Sequence, residues 1–135
     1  MYVRSFQLSD YVSVTSILEE VLTEVCYEIT MEAFARQLSW DSEMVLIAIE
    51  NDRVVGIIIG TIDHNTGYYY RIAVASEYQR KGIGKALITA LKQRFLQRGV
   101  KRIQVSVDAH NELVLPVYES AGYSPVHFFP EPPTG

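Results

Sequence analysis

Apolar and polar positions alternate from Tyr2 to Gln7 as they do in a short strand, and Ser9-Asp10 then offers side-chain oxygens that could cap a helix. Tyr11, Val14, Ile17, Leu18, Val21, Leu22 and Val25 recur every three or four residues, which puts them on one helical stripe with Glu19, Glu20 and Glu24 largely off it. Thr30 to Leu38 reads as a second, shorter helix with Trp40 anchoring its end. Met44 to Ile49 and Val54 to Ile62 are β-branched runs. Between them, Glu50-Asn51-Asp52-Arg53 is a set of turn formers that suits an antiparallel hairpin. Asp63 to Gly67 makes another turn, and extended character resumes from Tyr68 to Ala75.

A glycine-bearing loop follows, and Ala86, Leu87, Ile88, Leu91, Phe95 and Leu96 then mark an amphipathic helix that Gly99 closes. Lys101 to Val107 is a further strand. Because a helix joins it to Tyr68–Ala75, the two strands should run parallel through a right-handed crossover. Asn111 can cap a last helix through Ser120, ended by Gly122, with Pro116 either kinking it or moving its regular start toward Leu115. Tyr123 to Phe129 is a final strand candidate. The tail Pro130-Glu131-Pro132-Pro133-Thr134-Gly135 cannot pair in a sheet and is expected to be loose.

Composition narrows the class. A chain of 135 residues with 48% apolar and 21% charged residues is enough for one packed domain, expected over residues 1–129. No stretch approaches the roughly 18 to 20 apolar residues of a membrane span, and Met1 to Asp10 lacks the plan of a signal peptide, so a cytoplasmic protein with no membrane partner is expected. One cysteine, Cys26, cannot form an internal disulfide, and three scattered histidines have no metal-ligand spacing; no metal is expected. The net charge of −4 conceals a segregation: nine of the twelve Lys and Arg residues lie between Arg71 and Arg102, opposed there only by Glu77. From Ser5 to Ala35 nothing is basic, while Asp10, Glu19, Glu20, Glu24, Glu28 and Glu32 are acidic. One half suits an anion and the other a cation, although solvated helix faces would read the same way.

The loop Gln79-Arg80-Lys81-Gly82-Ile83-Gly84 lies between a strand and a helix. The first turn of a helix leaves N–H groups unpaired at the positive end of its dipole and so attracts phosphate. Glycine at 82 and 84 removes Cβ atoms that would hold a ligand off, and Arg80, Lys81 and Lys85 add charge. A P-loop is excluded, because Gly84-Lys85 is followed by Ala86, which offers no hydroxyl for Mg2+. The dinucleotide fingerprint is excluded too: its third position is Leu87, and the chain reads Arg102-Ile103-Gln104 where a ribose-binding acid should stand. Two glycines merely punctuating a loop would leave the basic residues unexplained.

The run from Ile72 to Leu87, Ile-Ala-Val-Ala-Ser-Glu-Tyr-Gln-Arg-Lys-Gly-Ile-Gly-Lys-Ala-Leu, resembles motif A of the GCN5-related N-acetyltransferases (GNAT). The run from Asn111 to Tyr123, with its Asn, its Tyr118 and its Gly-Tyr ending, resembles that family's motif B. The resemblance implies an α/β fold with a central mixed, mostly antiparallel sheet flanked by helices and a parallel strand pair around the acetyl-CoA site. The elements read above fit that order from Tyr2 to about Phe129. It implies direct transfer of acetyl from acetyl-CoA to a primary amine. Backbone at Ile72, Ala73 and Val74 would meet the acetyl and pantetheine, Gln79 and Arg80 to Lys85 (Lys81, Gly82, Ile83 and Gly84 between them) the pyrophosphate, and Asn111 the pantetheine region. Tyr118 would stand near the sulfur as a hydrogen-bond donor first and a general acid second. Full proton transfer from Tyr to a thiolate is uphill by roughly 2 kcal/mol at reference values.

Two departures from the family pattern stand out. Its usual catalytic Glu aligns with Ser106, which leaves deprotonation to water and a group such as Asp63, His64 or Asp108, or to an acceptor that binds neutral. Only one closing strand is offered, so a homodimer partner could supply the other, or the acceptor cleft could be more open. The acidic stretch from Glu19 to Glu32 favours a cationic small-molecule or peptide amine, and Cys26 reads as packing. An acyl-CoA-binding regulatory module without turnover is the rival reading. Nucleic acid is the weakest partner, because the whole chain is acidic and the basic segment lacks interleaved aromatics.

Overall fold

In the computed structural model, which describes residues 1–108, 112–124 and 127–129, six strands form one sheet in chain order: β1 (Tyr2–Ser5), β2 (Val45–Glu50), β3 (Arg53–Asp63), β4 (Thr66–Val74), β5 (Arg102–Ser106) and β6 (Phe128–Phe129). Neighbours from β1 to β4 are antiparallel, whereas β4–β5 and β5–β6 are parallel. The β2–β3 hairpin is made by Asn51 and Asp52, both at positive φ (52° and 61°). That backbone twists with its strands, so a two-residue turn suffices. The continuous burial of Val45 to Ile49 explains why this run reads as unbroken apolar residues rather than as an alternation.

Both faces of the sheet are covered. On one, α1 (Tyr11–Val21) and α2 (Glu24–Asp41) pack Val14, Ile17, Leu18 and Phe34 onto Val45, Ile47, Ile57 and Ile59. On the other, α3 (Ile83–Gln97) and α4 (Leu115–Ser120) pack Leu87, Ile88, Leu91, Phe95 and Tyr118 onto Leu46, Ile58, Tyr69 and Ile72. Gly99, at φ 77°, ends α3 as its position in the sequence suggests. No helix among the described residues is long and apolar enough to cross a membrane.

The structure redraws several sequence boundaries. The stripe beginning at Tyr11 crosses a helix break: Leu22 is extended (φ −98°, ψ 154°), and the Thr23 hydroxyl accepts from the Cys26 amide at 3.2 Å to start α2. Val25 therefore belongs to α2, where it is exposed, and α2 runs well beyond Thr30–Leu38 at both ends. Trp40 anchors nothing by burial, since 56% of it is accessible. Of the two options at Pro116, the shifted start is adopted, with a 3-10 turn at Glu112–Val114 before α4 opens at Leu115. The final strand contracts from Tyr123–Phe129 to Phe128–Phe129, and residues 125 and 126, Asn111 and the tail from Pro130 lie outside the described residues.

The position of α3 is fixed by the absence of side chains beneath it. A Cβ on Gly60 of β3 would stand 2.7 Å from Leu91 Cδ2 and 3.0 Å from Phe95 Cζ, both in the core of α3. Gly60→Ala is therefore expected to destabilise the fold by about 1–3 kcal/mol through overpacking. Thermal melting checks this, and an unchanged midpoint would contradict the close seating.

Candidate functional site

β4 pairs with β3 along its whole length but with β5 only from Thr66 to Tyr69. Just past that point its register on β3 slips. Ile59 faces Arg71 and Gly60 faces Tyr69, so Tyr70 is an extra residue. A bulge of this kind bends a strand and raises its twist. Ile72 to Val74 therefore run on with their outer backbone edge facing an opening, and among the described residues no strand pairs there.

The chain then turns through Ser76–Tyr78, and Gln79 Nε2 donates to the Val74 carbonyl at 2.9 Å, tying the loop to the strand end. Arg80 and Gly82 take positive φ (64° and 83°), which aims the loop into α3. Gly82 caps α3 with no side chain, and the first helical bond is Ala86 N–H to the Gly82 carbonyl at 3.0 Å. The amides of Ile83, Gly84 and Lys85 thus precede the first intrahelical donor and carry the positive end of the dipole. The two glycines serve different ends. A Cβ on Gly82 would meet nothing within 4 Å, whereas one on Gly84 would stand 3.0 Å from Val117 Cγ1 of α4. Only Gly82 opens space for a ligand; Gly84 lets α3 and α4 approach.

Strand edge, loop and helix start enclose one cavity of about 540 Å³. Ile72, Ala73 and Val74 form one wall, and Gln79, Arg80, Gly82, Ile83, Gly84 and Lys85 another. Val21 of α1 and Val114, Pro116 and Val117 complete it. Lys81 is absent from the lining; its ammonium lies 5.3 Å from the centroid of the Tyr78 ring. A second cavity of about 580 Å³, lined in part by Arg4, Asp10, Glu20 and Glu77, shares Tyr78 with the first. Arg4 donates to both Asp10 carboxylate oxygens there, at 2.8 and 2.9 Å.

Tyr118 is not among the residues that line the cavity, although Val117 beside it is. It is fully buried, its ring centroid is 5.5 Å from that of Tyr69, and its hydroxyl has no hydrogen-bond partner among the described residues. Neighbouring tyrosines differ: Tyr69 donates to the Ile88 carbonyl at 3.2 Å and meets the Tyr123 hydroxyl at 2.5 Å. Burial pushes the Tyr118 hydroxyl above the ordinary tyrosine range, and the positive charge of Arg71 opposes this.

Arg71 itself is 1% exposed. Its Nε donates to Thr30 of α2 at 2.9 Å, and its two terminal nitrogens donate to Asp108, past β5, at 3.3 and 3.2 Å. Burial works against its charge, but Asp108 and Tyr70 outweigh it and the guanidinium stays protonated. Sequence reasoning missed Arg71 because it counted it with the exposed basic residues. The available signal was a single charge inside the otherwise uncharged strand Thr66–Val74.

The candidates for a base are scattered. Ser106 is fully buried in β5, and Asp108 already accepts both hydrogen bonds from Arg71. Asp63 and His64 sit at the β3–β4 turn, about 20 Å of strand from Ile72 at ~3.3 Å per residue, and the His64 side chain is 91% exposed. No carboxylate lines the cavity among the described residues.

The charge segregation also divides. Arg94 and Arg98 are bound to Glu43 and Asp41 at the far end of α3, which leaves Arg80, Lys81 and Lys85 around the cavity end. On the acidic side, Glu20 accepts from the Ser76 amide at 3.2 Å. Cys26 is buried, its sulfur 3.8 Å from the Thr30 hydroxyl.

Comparison with known proteins bears on the family and the fold. The family model described as "Acetyltransferase (GNAT) family" matches residues 11–123. A ribosomal-protein-alanine N-acetyltransferase from Brucella melitensis superposes with a TM-score of 0.70 at 20% identity, over 92% of this chain and 85% of that one. PaiA N-acetyltransferase from Thermoplasma acidophilum, in complex with coenzyme A, gives 0.71 at 17% identity over 91% and 89%. Diaminobutyrate acetyltransferase EctA from Paenibacillus lautus, with L-2,4-diaminobutyric acid and coenzyme A, gives 0.67 at 22% identity over 88% and 72%.

A buried hydroxyl without a partner costs about 1–3 kcal/mol. In the protein without ligand, Tyr118→Phe is accordingly expected to melt no lower than the parent, and a clear loss of stability would show that the hydroxyl is satisfied after all.

Proposed function

Because the chain belongs to the acetyltransferase (GNAT) family, we propose that it transfers acetyl from acetyl-CoA to a primary amine, with the cavity between β4 and α3 holding the donor. One observation carries this reading above the others: the uncapped first turn of α3, opened by Gly82, shares one cavity with the unpaired edge of Ile72–Val74. A phosphate fits the first and an extended amide-bearing arm the second. Acetyl-CoA supplies the acetyl group as a thioester, which an amine attacks directly and which leaves a thiolate.

In this reading the amides of Ile83, Gly84 and Lys85 bind the pyrophosphate, with the Arg80 and Lys85 side chains adding charge and Lys81 contributing from the rim. Gln79 acts indirectly, holding the loop against Val74. Backbone groups of Ile72 to Val74 align the arm as an added strand would; Asn111, outside the described residues, is assigned to the same region by the family resemblance alone. Tyr118, whose hydroxyl has no partner among the described residues, is assigned to the sulfur. Since burial holds its proton more tightly than in free tyrosine, its role is to donate a hydrogen bond to the departing sulfur, not to surrender the proton. Ser106 cannot act as base, so the amine reaches the thioester already neutral or loses its proton to water. The acidic positions Glu19, Glu24, Glu28 and Glu32 on α1 and α2 favour a cationic acceptor, small molecule or peptide.

The test is release of free thiol from acetyl-CoA across a panel of small amines and basic peptides. Turnover with at least one amine is expected; tight acetyl-CoA binding with no thiol release from any would favour an acyl-CoA-binding regulatory module instead. With a productive acceptor, Tyr118→Phe should lower kcat by about tenfold or more, the scale of one lost transition-state hydrogen bond, with KM for acetyl-CoA little changed. Unchanged kcat would remove Tyr118 from the mechanism.

A further inference from the structure

The outer edge of β4 does not offer the cavity every backbone group it has. The Ala75 amide donates to the Val55 carbonyl at 2.8 Å, so these opposite residues form a bonded pair of the β3–β4 ladder. Bonded and unbonded pairs alternate along an antiparallel ladder. Val74, opposite Gly56, therefore turns both its backbone groups away from β3. Ala73, opposite Ile57, turns both toward β3, and Ile72, opposite Ile58, turns both away again. The extra residue at Tyr70 lies before this stretch, so the alternation runs through it unbroken. The Ala73 carbonyl agrees, standing 3.3 Å from where a Cβ on Gly56 of β3 would be.

The groups that face the cavity are thus the N–H and C=O of Ile72 and, two residues or ~7 Å further on, those of Val74. One of them is already taken. Gln79 Nε2 donates to the Val74 carbonyl at 2.9 Å, and both residues line the cavity. Gln79 follows the turn at Ser76–Tyr78 and directly precedes Arg80, whose positive φ of 64° aims the chain at the start of α3. Its side chain therefore sits at the junction of the two walls, where the strand edge ends and the glycine loop begins.

We infer that Gln79 is a positioning residue that withholds the Val74 carbonyl from the donor and so sets the limit of its strand-like pairing. An extended amide-bearing arm then pairs only with the N–H and C=O of Ile72 and the N–H of Val74. The same bond ties the loop to the strand, which fixes how far those three groups lie from the amides of Ile83, Gly84 and Lys85. The inference rests on the reading of the cavity as an acetyl-CoA site. A ligand gripped at two places binds more tightly than its parts because the second contact is intramolecular, and the gain is greatest when the spacing of the grips matches the ligand. Gln79 acts on that spacing and touches neither the phosphates nor the thioester. By closing the last outward carbonyl it also stops the arm from slipping two residues toward the loop.

Calorimetric titration with two probes tests this: acetyl-CoA, and 3′-phospho-ADP, which carries the pyrophosphate without the arm. The parent should bind acetyl-CoA the more tightly. Gln79→Met keeps the length and loses the donor; since the side chain is exposed, the variant should fold. It should weaken acetyl-CoA about three- to tenfold, the worth of one neutral hydrogen bond, and leave 3′-phospho-ADP unchanged. Gln79→Arg restores a donor on a long arm and should return the ratio of the two affinities to the parent value, whatever its charge does to both. Equal weakening of both probes by Gln79→Met would place Gln79 on the phosphate and overturn the proposal. Unchanged or tighter acetyl-CoA binding overturns it too, as does a ratio that Gln79→Arg leaves at the Gln79→Met value. Amide exchange by NMR reads the bond itself. On addition of acetyl-CoA the Ile72 and Val74 amides should become protected, Ala73 should already be so, and the Gln79 side-chain protons should exchange no faster than before. Faster exchange at Gln79 means that the arm has displaced it, which overturns the proposal and leaves the donor site standing. A parent that binds acetyl-CoA no more tightly than 3′-phospho-ADP removes the arm from the β4 edge, and overturns the reading of the cavity together with the role of Gln79.

Discussion

The site depends on a backbone constraint, the early end of the β4–β5 pairing. Every N–H and C=O of a strand needs a partner, and β4 satisfies one side on β3 throughout while β5 serves the other only as far as Tyr69. The extra residue at Tyr70 bends β4 away at that point. What remains, among the described residues, is an interior strand that becomes an edge strand partway along, with its free edge facing a cavity. Had β5 continued its pairing to Val74, there would be no opening between them, and the start of α3 would look onto a closed sheet.

A second constraint places the helix start where this edge ends. α3 is drawn down onto β3 and β4 because Gly56, Gly60 and Gly67 leave room beneath Leu87, Leu91 and Phe95. Its register on the sheet is then set by large side chains fitting over missing ones, so its first turn has little freedom to move relative to Ile72–Val74. At the opposite end Arg94 and Arg98 hold Glu43 and Asp41, fastening α3 to the connection between α2 and β2. Six of the nine positive charges from Arg71 to Arg102 thus fall into three groups: Arg71 in a buried pair in the strand gap, Arg80, Lys81 and Lys85 at the helix start, and Arg94 and Arg98 in a surface clasp at the helix end.

Legibility followed the range over which each signal acts. The β2–β3 hairpin, the loop and the closure of α3 at Gly99 are set by local chemistry, and their letters carry it. The α1–α2 boundary was lost because the apolar spacing continues unbroken through Leu22 and Val25; only Thr23, a capping residue whose role shows in the bond to Cys26, marks the break. At the site, the motif singled out Ile72 to Val74 and the loop, and the structure brings them to the walls of one cavity. Side-chain directions could not be read that way. That Lys81 turns to Tyr78 follows from the local path of the loop, and that the missing Cβ of Gly84 makes room for Val117 follows from packing between segments far apart in sequence. Arg71 is the clearest case: nothing local tells a buried arginine from an exposed one, and its partners come from Thr30 and Asp108.

Two costly features meet beside that gap. A buried ion pair is seldom more stable than the apolar side chains that could replace it, and removing one partner alone costs about 3–5 kcal/mol. An unpartnered buried hydroxyl such as that of Tyr118 adds a further penalty of about 1–3 kcal/mol. A core selected for stability alone would fill this space with leucine and phenylalanine, as the chain does a few residues away at Leu87, Leu91 and Phe95. Instead, a fixed cation and a free hydrogen-bond donor are kept where the sheet opens. Local violations of packing economy gather where a protein must act on a ligand, and the stretch of β4 that holds Arg71 leads directly into the cavity wall at Ile72–Val74.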